Sequence, residues 1–244
     1  MEEIKTKGIV ISAKDYLDSD KIVTIFSLDF GLIHARLRGV KKSGAKLAFA
    51  CQPFALIEFI LVKKNNFYTI INATSIDQFF DITADFDNYI FMLACLEVVQ
   101  KTIKENDPDE DMFVLLLKTF KLVCYEHISP MIAFIKFMLE AMNLLGFKIE
   151  LERCAICDKE VKNHFRFSFD YNGLICENCS NKLDYLELSK GEVAILTKIN
   201  YATFDNLKNL KFLSRNDLVS VISLLCKIFR LQTDEEIVSI KKFL

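Results

Sequence analysis

The sequence predicts an α+β protein in which a small five-stranded β-barrel is followed by a helical bundle. Apolar residues alternate with polar ones, at the period of a β-strand, over the first 75 residues. Helix start signals and helical spacing of apolar residues dominate after about residue 80. With 244 residues and a hydrophobic content of 52%, the chain can bury a substantial core, as one large domain or two smaller ones.

Residues 1–78 are predicted to form the first domain. They contain five β-rich segments. Residues 29–31 and 63–66 are typical of hairpin turns, and residues 39–44 form a longer loop with a glycine at each end. Five short strands suggest a small barrel, for which the OB-fold is the leading candidate and an SH3-like barrel the second. The strand period alone does not separate these two folds.

Residues 79–244 are predicted to form a helical domain. Its start signals combine Ser or Asp caps with proline at the first helical position, and glycine supplies one stop signal. The predicted boundaries are a first helix at about residues 84–103, caps at Asp107, Ser129, Ser189 and Ser214, first-turn prolines at Pro108 and Pro130, and a stop at Gly146. The apolar stripes of these helices indicate a bundle core rather than a groove for a partner.

Two Cys-x-x-Cys pairs, separated by 18 residues, interrupt the helical part. Their members are Cys154, Cys157, Cys176 and Cys179. Each pair can form a tight turn with two sulfurs about 2.3 Å from one zinc ion, and together the pairs complete tetrahedral coordination. We therefore predict a zinc module over residues 151–183 with one structural ion, because four thiolates leave no site for water. Disulfides, a redox pair and chance are the alternatives, and His164 is a weaker candidate ligand.

The remaining four cysteines are scattered singly in apolar stretches. They are Cys51, Cys95, Cys124 and Cys226. Isolated cysteines in such a context are usually small buried hydrophobic residues. We expect no metal or redox role for them.

Basic residues concentrate near the end of the third predicted strand. Residues 1–75 contain 11 Lys and Arg and 7 Asp and Glu, whereas the remaining residues contain 20 and 26. The candidate DNA-binding residues are Arg36, Arg38, Lys41, Lys42 and Lys46. Cations on a strand and a glycine-bearing loop can approach phosphates closely, and strands and loops are the usual nucleic-acid surface of small barrels. A solvated basic loop is the alternative, and the flanking Phe30, Phe49 and Phe54 are expected in the barrel core.

Catalytic motifs are absent from the sequence, which contains no GxSxG, P-loop, GxGxxG or HExxH pattern. The histidines are isolated, and His34 and His127 are expected to be structural or surface residues. We therefore expect a protein without enzymatic activity. No apolar run reaches the length of a membrane span, and the charged start together with a reduced thiolate site predicts a cytoplasmic protein.

Several motifs resemble the RecO family of bacterial DNA repair proteins. The resemblance lies in YLDSDKIVTIFS at residues 16–27, Gly31, GVKKS at residues 39–43 and QPF at residues 52–54. It continues in LLGF at residues 144–147, and the four-cysteine module follows. The resemblance covers most of the chain, although the helices match only in being helices and contain none of the specific motifs.

The resemblance implies a recombination mediator that binds single- and double-stranded DNA and anneals complementary strands. It also implies two protein partners: RecR, with which such proteins place RecA on coated strands, and the acidic tail of single-strand-binding protein. By position, the five candidate basic residues correspond to the family's DNA-contacting region and the four cysteines to its zinc ligands. We expect neither a membrane nor a small-molecule substrate as a partner, and a location in the bacterial cytoplasm with the nucleoid.

Two other functions remain open at this point. The chain could be a protein-interaction adaptor with a structural zinc ion, in which the basic loop is only solvated. It could also be an accessory domain of an enzyme or a nucleic-acid enzyme whose active site has no recognisable motif. Oligonucleotide binding separates the first from a DNA-binding protein, and turnover of DNA or a nucleotide would favour the second.

Overall fold

The computed structural model describes residues 3–64, 67–210 and 214–243. Two compact units divide the chain, Met1–Phe120 and Lys121–Leu244. The first contains a β-barrel and helices, and the second contains helices with a small sheet. The predicted boundary at 78/79 remains a prediction, and the barrel strands end at Asp77.

Five strands form a closed barrel in the order β1-β2-β3-β5-β4. Their bounds are β1 Glu3–Tyr16, β2 Asp20–Ser27, β3 Gly31–Leu37, β4 Leu56–Lys64 and β5 Phe67–Asp77. The pairs are antiparallel except β3 with β5, which run parallel from Ala35↔Tyr68 to Leu37↔Ile70. This parallel closure identifies the OB-fold, and the predicted fold class is confirmed.

The barrel interior consists of the apolar members of the alternating pattern. Val10, Val23, Ile25 and Phe59 are fully buried, and the partly buried Phe30 and Phe49 pack against this core. Phe54 is also fully buried, but its ring packs against Tyr89 and Phe120 of the helices rather than in the barrel core, so the prediction holds for Phe30 and Phe49 only. A short 3-10 helix, Ala48–Cys51, lies between β3 and β4.

The turn at the start of β3 is confirmed, and it requires glycine. Gly31 has a φ of +63°, and a Cβ atom at this position would clash with the backbone carbonyl of Asp107. The other predicted turn, at 63–66, includes residues 65 and 66, which lie outside the described residues.

Helices α1 Phe80–Ala84 and α2 Phe86–Thr102 follow the barrel, and α3 Glu110–Cys124 begins in the same unit. The prediction of Asp107 as the cap of α3 is wrong. The side chain of Asp109 accepts the hydrogen bond from Met112 N–H, so α3 starts after Pro108. Pro108 therefore precedes the cap residue and is not the first residue of the helix.

The second unit has three long helices that pack on one another: α4 Pro130–Leu144, α6 Lys190–Tyr201 and α7 Arg215–Thr233. The predicted starts at Pro130, Ser189 and Ser214 are confirmed, and Ser189 forms a full capping box with Glu192. The Ser129 side chain makes no cap hydrogen bond. Helix α4 ends just before Gly146, whose φ of +89° suits a helix stop.

A small module lies between α4 and α6. It comprises β6 Phe165–Ser168, β7 Gly173–Ile175, the short helix α5 Glu177–Ser180 and β8 Leu186–Leu188. The strands form a sheet in the order β7-β6-β8. This module is the predicted insertion among helices. None of the helices that the described residues form combines the length and the apolar character of a membrane span.

Candidate nucleic-acid surface and candidate metal centre

The predicted DNA-binding residues lie at the end of β3 and in the segment that follows it. We call residues 38–46 the basic loop. Gly39 and Gly44 adopt positive φ angles of +64° and +74°, and successive hydrogen-bonded turns link Lys42 N–H to Gly39 O and Ala45 N–H to Lys42 O. The loop therefore has a defined path between β3 and the 3-10 helix.

A buried carboxylate fixes the start of the basic loop. Asp20 is only 5% exposed. It accepts hydrogen bonds from Arg36 Nε at 2.7 Å and from Gly39 N–H at 2.8 Å, and Arg36 Nη2 lies 2.6 Å from it. The Gly39 N–H and the Arg36 guanidinium lower the pKa of Asp20, so this carboxylate is charged at neutral pH. The Arg36 guanidinium therefore forms an ion pair with Asp20 within the protein.

A second, exposed carboxylate neutralises part of the basic loop. Lys41 donates a hydrogen bond of 2.7 Å to Asp15, and Lys21 Nζ lies 3.7 Å from the same carboxyl group. The hydrogen bond from Lys41 lowers the pKa of Asp15. An exposed pair of this kind contributes little stability, and phosphate can displace the carboxylate.

The other three predicted residues are available for a ligand. Arg38, Lys42 and Lys46 are exposed. No hydrogen bond or ion pair to their side chains occurs within the described part of the chain. Three unpaired cations on one loop of an OB-fold barrel can bind a polyanion through its phosphates, without reading bases.

Four sulfurs meet in the second unit. The Sγ atoms of Cys154, Cys157, Cys176 and Cys179 all lie within 4.8 Å of one another. The Cys157 and Cys176 sulfurs are 3.7 Å apart. Thiolates about 2.3 Å from a central ion stand about 3.8 Å apart in a tetrahedron, whereas a disulfide bond is about 2.05 Å long. The cluster therefore has the dimensions of a metal site rather than of two disulfides.

Local turns position each cysteine pair. In the first turn, Asp158 N–H binds Cys154 O at 2.9 Å, Cys154 N–H binds Lys159 O at 2.7 Å, and Asp158 has a φ of 59°. In the second, Cys179 N–H binds Cys176 O at 3.1 Å, at the start of α5. Cys176 N–H also points at the Cys154 sulfur, 3.3 Å away, so the two turns join at the cluster.

The pKa values of the thiols explain why the cluster is suited to binding a cation. Burial of Cys154 opposes ionisation, but hydrogen bonds from the N–H groups of Cys176, Cys157 and Ile156 outweigh it and lower its pKa to about 6. Hydrogen bonds to Cys157 and Cys176, with desolvation, raise the pKa of Cys179 to about 12. Four adjacent thiols therefore do not all ionise by themselves, whereas a bound cation would let each become a thiolate ligand.

The remaining candidate residues lie elsewhere. His164 is exposed, has its Nδ1 atom 3.7 Å from Glu187, and is not a member of the sulfur cluster. Of the isolated cysteines, Cys95 and Cys124 are buried as expected, whereas Cys51 and Cys226 are only half-buried. The histidines His34 and His127 are exposed at the surface.

The protein combines an OB-fold barrel, which carries free cations on one loop, with a helical unit, which carries a four-thiol cluster. It is therefore a two-part protein with a candidate nucleic-acid surface and a candidate metal centre. The chain belongs to the recombination protein O family. The family model described as Recombination protein O N terminal matches residues 1–79, and that described as Recombination protein O C terminal matches residues 83–226. The resemblance inferred from the sequence is thus confirmed.

Individual relatives support the same assignment. The chain is 28% identical to DNA repair protein RecO of Caldicellulosiruptor bescii over the full length of both chains. It is 30% identical to proteins of the same name from Bacillus pumilus, over 84% of this chain and 79% of the relative, and from Listeria monocytogenes, over 84% and 80%. Family membership gives the chain a role in DNA repair and recombination.

The sequence pattern did not identify Asp15 and Asp20 as parts of the candidate surface. Their signal was their position at the two ends of the turn, since Asp15 directly precedes the YLDSD segment and Asp20 is its last residue. Which carboxylate would meet which cation depends on the register of β1, β2 and β3. That register places Asp20 across from Tyr16 and Arg36 across from Ile22.

Proposed function

We propose that this chain is a non-enzymatic DNA-binding protein of recombinational repair, and that the basic loop of its barrel binds single- and double-stranded DNA. The observation that carries this proposal is the set of three exposed, unpaired cations, Arg38, Lys42 and Lys46. Arg36 positions the loop, and Lys41 exchanges Asp15 for a phosphate when DNA binds. Each phosphate contact releases counterions, so affinity falls steeply with salt and depends little on sequence.

Strand annealing follows from the same chemistry. Two complementary strands repel each other through their phosphates. A surface that neutralises phosphates on both strands lowers this repulsion and favours pairing. We propose that the protein promotes annealing in this way, in the bacterial cytoplasm at the nucleoid.

Further partners are proposed from family membership. They are RecR, with which the protein would place RecA on strands coated by single-strand-binding protein, and the acidic tail of that coating protein. We assign no residues to these contacts. Neither a membrane nor a small-molecule substrate is part of the proposed function.

For the four-cysteine cluster we propose one structural zinc ion held by Cys154, Cys157, Cys176 and Cys179. Zinc favours four thiolates in tetrahedral geometry, and the sulfur spacing supports this geometry. When bound, the ion supplies positive charge that holds four thiolates together. The two cysteine turns hold their sulfurs through backbone hydrogen bonds, and a complete thiolate shell leaves no open position for water or substrate.

DNA binding is tested by changing Arg38, Lys42 and Lys46 to Ala together. Fluorescence anisotropy with an unstructured oligonucleotide and with a duplex, at two salt concentrations, should show a large loss of affinity. The salt slope should decrease by about 2 to 3, because each lost phosphate contact contributes about one unit. Annealing of complementary strands coated with single-strand-binding protein should slow in parallel.

A matched control removes the same charge from the second unit. Lys148, Lys190 and Lys208 are exposed, and their replacement by Ala should leave DNA affinity nearly unchanged. Equal losses in both triple variants would mean that total charge, not the basic loop, determines binding. Normal DNA binding by the basic-loop variant would contradict the assignment.

The ion pairs of Arg36 and Lys41 favour a second candidate, a protein-interaction adaptor with a structural zinc ion and no DNA binding of its own. These pairs neutralise two of the five predicted cations inside the free protein. Wild-type protein that fails to bind either oligonucleotide at low salt would support the adaptor function.

A further inference from the structure

The turn between β1 and β2 displays apolar side chains next to the basic loop. Tyr16 is 42% exposed and Leu17 is 64% exposed. Leu17 also has a φ of 54°, a left-handed conformation that leucine rarely adopts. The exposed parts of these two side chains add nothing to the core, and an exposed apolar turn with a strained backbone has features expected of a binding site.

The ring of Tyr16 is held in place by a cation. The Arg36 guanidinium lies over this ring, 5.2 Å from its centroid. Asp20 in turn holds Arg36 through two contacts, at 2.6 and 2.7 Å. Tyr16 is therefore a supported aromatic surface that stays partly open to solvent.

The apolar turn and the basic loop are joined through the backbone. Lys41 N–H donates a hydrogen bond of 2.9 Å to Ser19 O. The Lys41 side chain reaches back to Asp15, the residue before Tyr16. Aromatic surface and phosphate-binding charge thus occupy neighbouring segments, as required for a strand whose bases and phosphates are both bound.

We propose that Tyr16, together with Leu17, is a stacking site for an unpaired DNA base. This proposal rests on the proposed function, because the strand that supplies the base is held by the basic loop. In a duplex, neighbouring bases cover each other's faces, so only a single strand can offer a base to Tyr16. The site would therefore give the barrel a preference for single-stranded DNA that the cations alone do not provide.

The first test compares Tyr16→Ala with the wild-type protein on single-stranded and duplex DNA. Loss of one base–aromatic contact should reduce single-strand affinity about 5- to 150-fold. Duplex affinity and the salt slope should not change, because no phosphate contact is lost. Equal losses on both DNAs would overturn the proposal, since Tyr16 would then act only by supporting Arg36.

The second test uses the absence of tryptophan from the sequence. Tyr16→Trp creates a single tryptophan, whose fluorescence should be quenched when an unstructured oligonucleotide stacks on it and should change little with duplex. Tyr171→Trp, at a position in the second unit that is 47% exposed, is the matched control and should respond to neither DNA. Quenching in the control alone, or equal quenching of Tyr16→Trp by both DNAs, would overturn the stacking site.

The two proposals fail in distinguishable ways. If wild-type protein binds no DNA, both proposals are wrong. If the triple variant at Arg38, Lys42 and Lys46 loses binding while Tyr16→Ala keeps full single-strand affinity, the DNA-binding function stands and the stacking site is wrong. Should Tyr16→Ala fail to fold, the fluorescence of Tyr16→Trp still decides the question.

Discussion

The basic loop and the four-cysteine cluster each bring together groups that repel one another when they carry the same charge. The distances between these groups differ in the two regions. The sulfurs lie within 4.8 Å of one another in a partly buried site. The cations of the basic loop are distributed along an exposed segment, and carboxylates pair with two of the five candidates. Water screens the cations, whereas four thiolates need a resident cation. The proposed ligand of the cluster is therefore a permanent one, and the proposed ligand of the basic loop is an exchangeable one.

Removing the permanent ligand should have the largest effect. We expect Cys154→Ser with Cys157→Ser to abolish metal binding and to lower stability by several kcal/mol, on the order of the binding free energy lost with a structural ion. Metal analysis by mass spectrometry and differential scanning calorimetry measure the two effects. Cys51→Ser, which changes a half-buried cysteine outside the cluster, should retain the metal. A stable, metal-loaded double variant would show that the cluster is not a structural site.

The second-largest expected effect is the response of the metal-free cluster to pH. Because the folded protein lowers the pKa of Cys154 from an ordinary 9.0 to about 6, the thiolate contributes stability above pH 9. This contribution declines as pH falls and is lost through pH 6. In chelator-treated protein kept cold, the ultraviolet absorbance of thiolate should show a step near pH 6. The step should be missing in Cys154→Ser, and its persistence there would assign it to another cysteine.

Asp20→Asn should reduce DNA affinity by about 3- to 10-fold, although it removes a negative charge near a polyanion site. The amide cannot hold both Arg36 and Gly39 N–H as the carboxylate does, so the basic loop loses its anchor. Anisotropy titrations measure the change, and Asp18→Asn, an exposed acid in the same turn, is the charge-matched control. Tighter binding by Asp20→Asn would show that the carboxylate acts only as a repulsive charge.

Asp15→Asn should have the smallest effect, and in the opposite direction. Without its carboxylate, Lys41 is free to bind phosphate, and affinity should rise about 2- to 3-fold at low salt, the scale of an exposed ion pair. The gain should disappear at high salt because screening removes the advantage. Weaker binding would instead indicate that Asp15, like Asp20, positions the loop.

Local patterns made much of the fold and the cysteine site predictable from the sequence. Strand alternation and Cys-x-x-Cys spacing are properties of neighbouring residues, so the barrel strands and the cluster could be inferred directly. The choice of OB-fold over SH3-like barrel depended on the parallel pairing of β3 with β5, which joins distant segments. The predicted start of α3 is misplaced because Asp107 is followed by a proline, a typical first helical residue, whereas Asp109 makes the cap hydrogen bond.

The candidate DNA surface was less predictable for a different reason. The sequence indicated the cations, but not that Arg36 would be held by Asp20 or Lys41 by Asp15. These pairings cross strand and loop boundaries and depend on side-chain geometry. The exposure of Tyr16 could not be predicted either, because the strand period does not show how far a side chain at the end of a strand is covered.

The parallel pairing of β3 with β5 also bears on the order in which the barrel can fold. The hairpin of β2 and β3 is local, but Arg36 reaches its neighbour Thr69 only after the intervening chain, including the basic loop, has been looped out. Closing such a long loop is entropically costly, and non-local pairings of this kind slow folding. During synthesis, the ribosome must therefore release β5 before the barrel closes, whereas the contacts of the basic loop with Asp15, Ser19 and Asp20 join segments that emerge earlier.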